Sequence, residues 1–261
     1  MMAFAHAGAI HLAQRTGAGE FRHASGDPGP PALPAPDGVA SLSDPSLIAD
    51  VDRFVLYFVG LGADGATRMW KTTGDPDFAQ TFGAPAMVLD PVEFGLLGID
   101  GVHVTPSGSG WALLARVDTG QDRRIVRFAS ADGLAWELHG GSLDAATLRM
   151  PRTDDLFAFD RDEVAGPALV TFPDARGNDV TRIYYAGRRG TRWSIGMLAS
   201  LDGVRFRAVG AVLGPGEGFD ALGVTDPDPV VEAGVLRVYY TGTDGASYRI
   251  GASGPAGTLG E

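Results

Sequence analysis

Two Asp-Pro stretches carry carboxylates whose repeated placement suits acid–base chemistry or ligand binding. "SDPSLIADVDRFVLYFVG" spans residues 43–60 and "TDPDPVVEAGVLRVYYTG" spans residues 225–242, so each places Asp-Pro ahead of an apolar run that closes on glycine. Asp-Pro is a common turn former, and a strand-entry turn is the structural interpretation of Asp44, Asp226 and Asp228. Carboxylates that converge on one pocket suit acid–base chemistry or the binding of a hydroxyl-rich ligand, which is the functional interpretation.

An internal repeat indicates which elements position these residues. A strand pair starts near Ser43, Ile99, Val164 and Thr225, and its second strands read "FVLYFVG", "WALLARV", "TRIYYAG" and "LRVYYTG". An outer hairpin with an Asp-Gly turn follows, clearest in "SADGLAW" and "SLDGVRF", where the glycine supplies the positive φ of a tight turn. Four strands recur every 56 to 65 residues, the period of a propeller blade.

The repeat predicts an all-β fold: a single β-propeller domain over residues 1–261, with five blades of which one is incomplete. Five strands of the third type support that count: "IHLAQ", "TRMWK", "IVRFA", "IGMLA" and "YRIGA". The last blade lacks its outer strand. Residues 1–42 supply a hairpin of third and fourth strands, with "MMAFAHAG" as the remnant of a second strand. A four-bladed ring closed by that N-terminal hairpin is the alternative.

Composition excludes several classes of partner. The 261 residues carry a net charge of −11, which argues against nucleic acid or an anionic membrane surface as a partner. The chain has no cysteine, and its few histidines form no metal motif, so we expect neither a metal nor a cofactor. The N-terminal stretch has no signal-peptide pattern, which predicts a cytoplasmic protein without a membrane span. The oligomeric state stays open.

The Asp-Pro start, the "RVYYTG" strand and the "IGMLASLDGVRF" hairpin resemble the five-bladed β-propeller glycosidases. That group includes arabinanases, β-xylosidases and arabinofuranosidases, with invertases, levansucrases and mannoside phosphorylases as relatives. The resemblance implies that Asp44 is the general base. It also implies that Asp100, in "GIDGVHV", orients and tunes the acid, with Gly101 where the family often has proline.

The third repeat departs from the pattern of this family. The family's general acid stands just before a small residue and proline, and in "DEVAGPALV" that position is Ala165. The nearest carboxylate is Glu163, two residues earlier and on the same face if the strand extends that far. Because it is the nearest carboxylate, Glu163 is the candidate proton donor. Hydrolysis with inversion would also require it to lie roughly 6.5–9.5 Å from the base.

Several other residues are candidates for substrate binding. Asp226 and Asp228 are expected to bind ligand hydroxyls, and Arg152 and Asp154 lie in a long connection, residues 148–164, that can reach over a pocket. His103 lies on the inner strand that carries Asp100. Strict alternation predicts that it faces the opposite way, which favours a structural histidine.

The sequence therefore predicts a glycoside hydrolase-like enzyme that acts on a small glycoside or furanoside without a cofactor. A non-hydrolytic propeller is the alternative: a polyol-binding or scaffold protein, or a biosynthetic enzyme that has recruited the same pocket.

Overall fold

The protein is almost entirely β-structure, which confirms the predicted all-β class. The computed structural model describes residues 2–15, 21–23, 33, 35–50, 52–75, 82–174 and 176–253. Within these ranges the helices are one 3₁₀ turn, Pro91–Phe94, and one short α-helix, α1, Leu143–Ala146. Neither has the length or apolar character that a bilayer-crossing segment requires.

The strands form antiparallel meanders in chain order. The first sheet comprises β1 (Met2–His6), β2 (Ala9–Arg15) and β3 (Phe21–His23). The second sheet comprises β4 (Val39–Ala49), β5 (Phe54–Gly62), β6 (Thr67–Gly74) and β7 (Ala86–Leu89). The third comprises β8 (Gly98–Ser107), β9 (Gly110–Asp118), β10 (Arg123–Ser130) and β11 (Glu137–Leu138), with β12 (Thr147–Arg149) also paired to β10.

The C-terminal half repeats the pattern. It contains β13 (Glu163–Pro173), β14 (Asp179–Arg189), β15 (Arg192–Ser200) and β16 (Arg207–Leu213). It ends with β17 (Gly223–Glu232), β18 (Val235–Thr243) and β19 (Tyr248–Ala252). A single parallel bridge between Trp193 and Gly223 connects these two meanders. All five strands predicted to be of the third type are present, as β2, β6, β10, β15 and β19.

The second strand of each complete meander is the most deeply buried. In β5 the six residues from Val55 to Gly60 are all buried, because both faces of the strand are covered. In the C-terminal half, Tyr184 of β14 joins a core with Ile195, Val224 and Leu236. A run that is apolar at every position, rather than at alternate ones, is the sequence signature of such a strand.

The chain divides into two compact units. The first comprises residues 1–120 and 127–146, and the second comprises residues 121–126 and 147–261. Strand β10 belongs to both: Ile125 and Val126 pair with β12 in the second unit, whereas Phe128 and Ala129 pair with β11 in the first.

Neighbouring sheets within a unit meet in a repeated way. The starts of β4, β8 and β17 each lie beside the hairpin turn of the preceding sheet. In the first unit the Leu42 N–H donates to Gly8 O (2.8 Å) and the Ile99 N–H donates to Thr67 Oγ1 (2.9 Å). The Trp193–Gly223 bridge is the equivalent contact in the second unit.

The outer hairpin turns adopt the predicted conformation. Gly133 and Gly203 have φ values of 70° and 67°. The carboxylates of Asp132 and Asp202 each accept two backbone N–H groups of their own turn and a serine hydroxyl. These bonds hold the pKa of Asp202 down to about 2, and the pKa of Asp132 is lowered by the same kind of contacts.

Candidate functional site

All four inner strands carry a β-bulge at the same position. Two residues there oppose one residue of the second strand, so the pairing skips a position. The paired residues that flank the gap are Ser43 and Ser46, Asp100 and His103, Ala165 and Ala168, and Thr225 and Asp228. The first residue inside each gap has a positive φ: Asp44 at 48°, Gly101 at 56°, Gly166 at 50° and Asp226 at 50°.

This backbone conformation is free of strain only for glycine. Two repeats use glycine, but the other two use aspartate, the residue type that with asparagine best tolerates it. The Ser43 hydroxyl donates to Asp44 Oδ2 at 2.7 Å, and the Thr225 hydroxyl donates to Asp226 Oδ2 at 2.9 Å. The recurrent Ser/Thr-Asp-Pro sequence is therefore a bulge with a fixed carboxylate, a feature that the Asp-Pro spacing alone did not predict.

The bulges also show that the three predicted catalytic carboxylates lie at different positions of the repeat. Asp44 is the bulge residue itself, equivalent to Gly101. Asp100 is the residue before the bulge, equivalent to Ala165. Glu163 lies two residues further back, at the first position of β13. Strand β13 thus extends as far back as Glu163. Because Glu163 and Ala165 are two positions apart on this strand, they lie on the same face.

The predicted orientation of His103 is wrong. Asp100 pairs with Arg116 and His103 pairs with Leu114, two positions apart on one strand, so Asp100 and His103 lie on the same face of the sheet. The extra residue of the bulge shifts the alternation by one. His103 is half-buried and belongs to the same strand face as the candidate carboxylate.

In the first unit, Asp44, Asp100 and His103 lie on the neighbouring strands β4 and β8, where the Val104 N–H donates to Ser46 Oγ at 2.9 Å. Asp100 forms a bidentate ion pair with Arg116 directly across the sheet. The Nε–Oδ1 distance is 2.5 Å and the Nη2–Oδ2 distance is 2.7 Å. This fork geometry fixes the orientation of the carboxylate.

In the second unit, Glu163 is held by two guanidinium groups. Arg123 Nη1 donates to Oε1 at 3.1 Å, and Arg188 donates to Oε2 through Nε (3.0 Å) and Nη2 (2.9 Å). The Glu163 side chain is only 16% exposed. Positive charge on both sides stabilises the carboxylate form over the protonated one.

The remaining candidates also lie in the second unit. Asp226 and Asp228 are exposed on β17, and a Cβ built on Gly166 would lie 3.1 Å from Asp226 Oδ1, so this carboxylate covers the glycine of the neighbouring bulge. Arg152 pairs with Asp155 at 2.7 Å, while Asp154 is exposed in the same connection. Among the described residues, no three His, Asp or Glu side chains gather as a metal site.

Two buried carboxylates were missed by the sequence analysis. Asp160 is fully buried and accepts hydrogen bonds from Tyr185 Oη (2.9 Å) and Arg149 Nε (2.6 Å). Asp220 accepts a hydrogen bond from Tyr240 Oη (2.9 Å). Burial, followed by the contact with Asp220, raises the pKa of Tyr240 to about 12, and the pKa of Tyr185 is raised first by burial and then by Asp160.

A repeated Phe-Asp dipeptide was the available signal for this pair. Phe159–Asp160 and Phe219–Asp220 each precede a buried valine near the start of an inner strand, Val164 or Val224, by the same number of positions. A Cβ on Gly187 would meet Phe159 Cε2 at 2.5 Å, and one on Gly242 would meet Phe219 Cε2 at 2.6 Å. The glycines of "YYAG" and "YYTG" are thus the docking points of these dipeptides.

No protein-family model matches the sequence, and no curated protein matches it by sequence. Solved structures do match. An α-L-arabinofuranosidase from Lactobacillus brevis superimposes with a TM-score of 0.64 over 96% of this chain and 88% of that one, at 12% identity. A glycosyl hydrolase from Bacteroides ovatus gives a TM-score of 0.58 over 80% of this chain and 65% of that one, at 12% identity.

A structure from the GH130 family of mannoside phosphorylases also matches. That family is described as containing glycoside hydrolases that target β-1,2 mannosidic linkages in Candida mannan. The TM-score is 0.57 over 80% of this chain and 65% of that one, at 11% identity. The chain therefore has the fold of these glycoside hydrolases, which confirms the resemblance seen in the sequence at the level of the fold.

Proposed function

We propose that the chain is a five-bladed β-propeller in which the first and last sheets are incomplete blades. Support comes from the five third-type strands, each in its own meander, and from the three-stranded first sheet. A crystal structure with five sheets around one axis is the expected result. A ring of four sheets closed by β2 and β3 would favour the four-bladed alternative instead.

We further propose that the protein hydrolyses a small glycoside or furanoside. Asp44 activates water, Asp100 orients and tunes the acid, and Glu163 donates the proton. Asp226, Asp228, Arg152, Asp154 and His103 are proposed to bind substrate hydroxyls. The observation that supports this most is the Asp44 conformation: an aspartate held at φ 48°, where a neighbouring repeat uses strain-free glycine, indicates a role for its carboxylate.

A non-hydrolytic carbohydrate-binding protein is the second candidate. It is favoured by the two guanidinium groups on Glu163, which stabilise the carboxylate and so oppose proton donation. Ala165, at the position where the related enzymes carry their acid, favours it too. The two candidates share a ligand class and differ in whether a bond is broken.

A panel of aryl furanosides and aryl pyranosides separates them. For the hydrolase we expect release of the aryl group, and a fall of at least about 100-fold in rate in Asp44→Asn and in Glu163→Gln. Asp179→Asn, an exposed aspartate of β14, is the matched control and keeps the wild-type rate. No turnover on any substrate, together with a sugar-dependent rise in melting temperature, would establish the binding protein.

A further inference from the structure

We propose that the second unit carries a site for an anionic sugar, built on an arginine rim that consists of Arg123, Arg188, Arg189 and Arg192. This inference deepens the proposed function and rests on the carbohydrate ligand proposed there. The ligand class is a sugar with a carboxylate or phosphate group.

Two members of the rim, Arg123 and Arg188, belong to one hydrogen-bonded network around the start of β13. Besides its two bonds to Glu163, Arg188 donates through Nη1 to Gly190 O at 2.9 Å. The Gly190 N–H donates to Asp162 Oδ2 at 2.6 Å, and the Asp162 N–H donates to Arg188 O at 2.9 Å. Side-chain and backbone hydrogen bonds therefore hold the β14–β15 turn against the segment that enters β13.

The rim has more positive than negative charge. The segment that contains the rim has four arginines but two carboxylates, Asp162 and Glu163, and both carboxylates already accept hydrogen bonds. This local excess of positive charge occurs in a chain whose net charge is −11. An anion is therefore attracted to the guanidinium groups of the rim and not to the surface of the protein in general, because the protein as a whole is acidic.

Two of the arginines are placed where they repel each other. Arg189 and Arg192 are direct partners across the β14–β15 hairpin, and both are exposed. Like charges directly opposite one another destabilise a strand pair. Within the described part of the chain, neither guanidinium forms an ion pair with a carboxylate. A ligand anion between them would remove the repulsion and accept hydrogen bonds from both planar groups.

Arg189 also contacts the backbone of a residue whose aromatic ring is exposed, Phe157. Arg189 Nη1 donates to Phe157 O at 3.2 Å, and the Phe157 side chain is 85% exposed. An aromatic face in water is a platform for the apolar face of a sugar ring. Guanidinium groups for the charge and a ring for the sugar body together define a charged carbohydrate as the ligand, in preference to a free inorganic anion.

Calorimetric titration with glucuronate, glucose 6-phosphate and glucose tests the proposal. Because a hydrogen bond to a charged group contributes about tenfold in affinity, we expect at least one of the two anionic sugars to bind about tenfold more tightly than glucose. Whether the carboxylate or the phosphate sugar binds better identifies the charged group. In Arg189→Gln/Arg192→Gln the preference over glucose should disappear.

The control is Arg205→Gln/Arg207→Gln, which removes the same charge from two exposed arginines outside the rim and should keep the preference. Equal binding of all three sugars, or a preference that survives in Arg189→Gln/Arg192→Gln, overturns the arginine rim as the site. If no sugar binds, inorganic phosphate is titrated. Phosphate binding that requires Arg189 and Arg192 would support an anion site but refute a carbohydrate ligand. If phosphate does not bind either, both the anion site and the carbohydrate ligand are refuted.

Discussion

At the scale of single residues, the carboxylates divide into exposed or half-buried groups on the inner strands and buried groups behind them. Asp44 and Asp226 are held by the backbone of a bulge and by a neighbouring hydroxyl. Asp160 and Asp220 instead anchor tyrosines of the second strand. Only the first kind is placed to meet a ligand, because the Asp160 side chain has no exposed surface.

The buried pair offers an internal comparison. Asp160→Asn removes the charge that balances Arg149, whose side chain is 15% exposed, and we expect a loss of about 3–5 kcal/mol in the free energy of unfolding. Asp220→Asn removes a carboxylate whose described partner is the Tyr240 hydroxyl alone, and we expect about 1 kcal/mol. Urea unfolding of both variants is the measurement. Equal losses would show that the ion pair adds nothing beyond the tyrosine contact.

The sequence predicted residues better than it predicted their orientation. Asp44 and Asp226 were found because Asp-Pro recurs, yet the bulge that positions them leaves no mark in an alternating pattern. His103 was assigned to the wrong face for the same reason. The Asp160 site was missed because a buried ion pair depends on Arg149 and Tyr185, whose approach to Asp160 is set by tertiary packing.

At the scale of elements, the segments before β13 and β17 dock into glycines of the second and third strands of the same meander. A Cβ on Gly196 would overlap Phe159 Cζ. We therefore expect Gly196→Ala to cost about 1–3 kcal/mol in the free energy of unfolding through overpacking. Gly214→Ala is the control, since no atom lies within 4 Å of a Cβ there. Chemical denaturation of the two variants tests this, and a neutral Gly196→Ala would show that Phe159 moves aside freely.

The outer hairpin turn should give a pH-dependent contribution to stability. The N–H groups of Arg205 and Val204, followed by the Ser200 hydroxyl, hold the folded pKa of Asp202 at about 2, below its ordinary 3.8. A depressed carboxyl pKa stabilises the fold above the unfolded value and loses that effect as pH falls. The melting-temperature advantage of wild type over Asp202→Asn should thus be constant above pH 4 and decrease between pH 4 and 2.

Asp179→Asn is the control for this titration, since it removes an exposed aspartate from strand β14. Measured over the same pH range, it gives the effect of removing one acidic side chain, against which the decrease in Asp202→Asn is judged. An Asp202→Asn difference that does not change between pH 4 and 2 would mean that the turn hydrogen bonds form equally well with the protonated acid.

The elements themselves were largely predictable. Apolar runs marked the second strands and Asp-Gly marked the outer turns, since both patterns follow from local burial and backbone geometry. Strand β12 was not predicted: "TLR" has no alternating pattern of its own and is extended because it pairs with Ile125 and Val126. Its existence depends on a partner distant in sequence.

At the scale of the whole molecule, charge is unevenly distributed. The first unit contains 16 acidic and 7 basic residues, and the second contains 16 acidic and 14 basic, so their net charges are −9 and −2. The nearly neutral second unit also carries most of the exposed large apolar side chains that lie on strands. At pH 7 the second unit therefore contributes less to charge repulsion between molecules than the first, and it has the larger exposed apolar strand surface.

The last strand shows this most clearly. Ile250 of β19 is 49% exposed, whereas the equivalent Ile195 of β15 is fully buried, because β16 pairs with β15 and no described strand pairs with the outer edge of β19. An unpaired apolar edge associates with other edges once repulsion is lost. We expect light scattering to show association near the pI of about 4.8 and not at pH 7.

Ile250→Lys should reduce that association strongly, since a charged side chain on an edge strand blocks edge-to-edge pairing. Asn178→Lys adds the same charge to an exposed turn of the same unit and should reduce it only slightly. Two equal reductions would attribute association to net charge alone. A larger effect of Ile250→Lys would identify the open edge of the last sheet as the surface through which molecules meet.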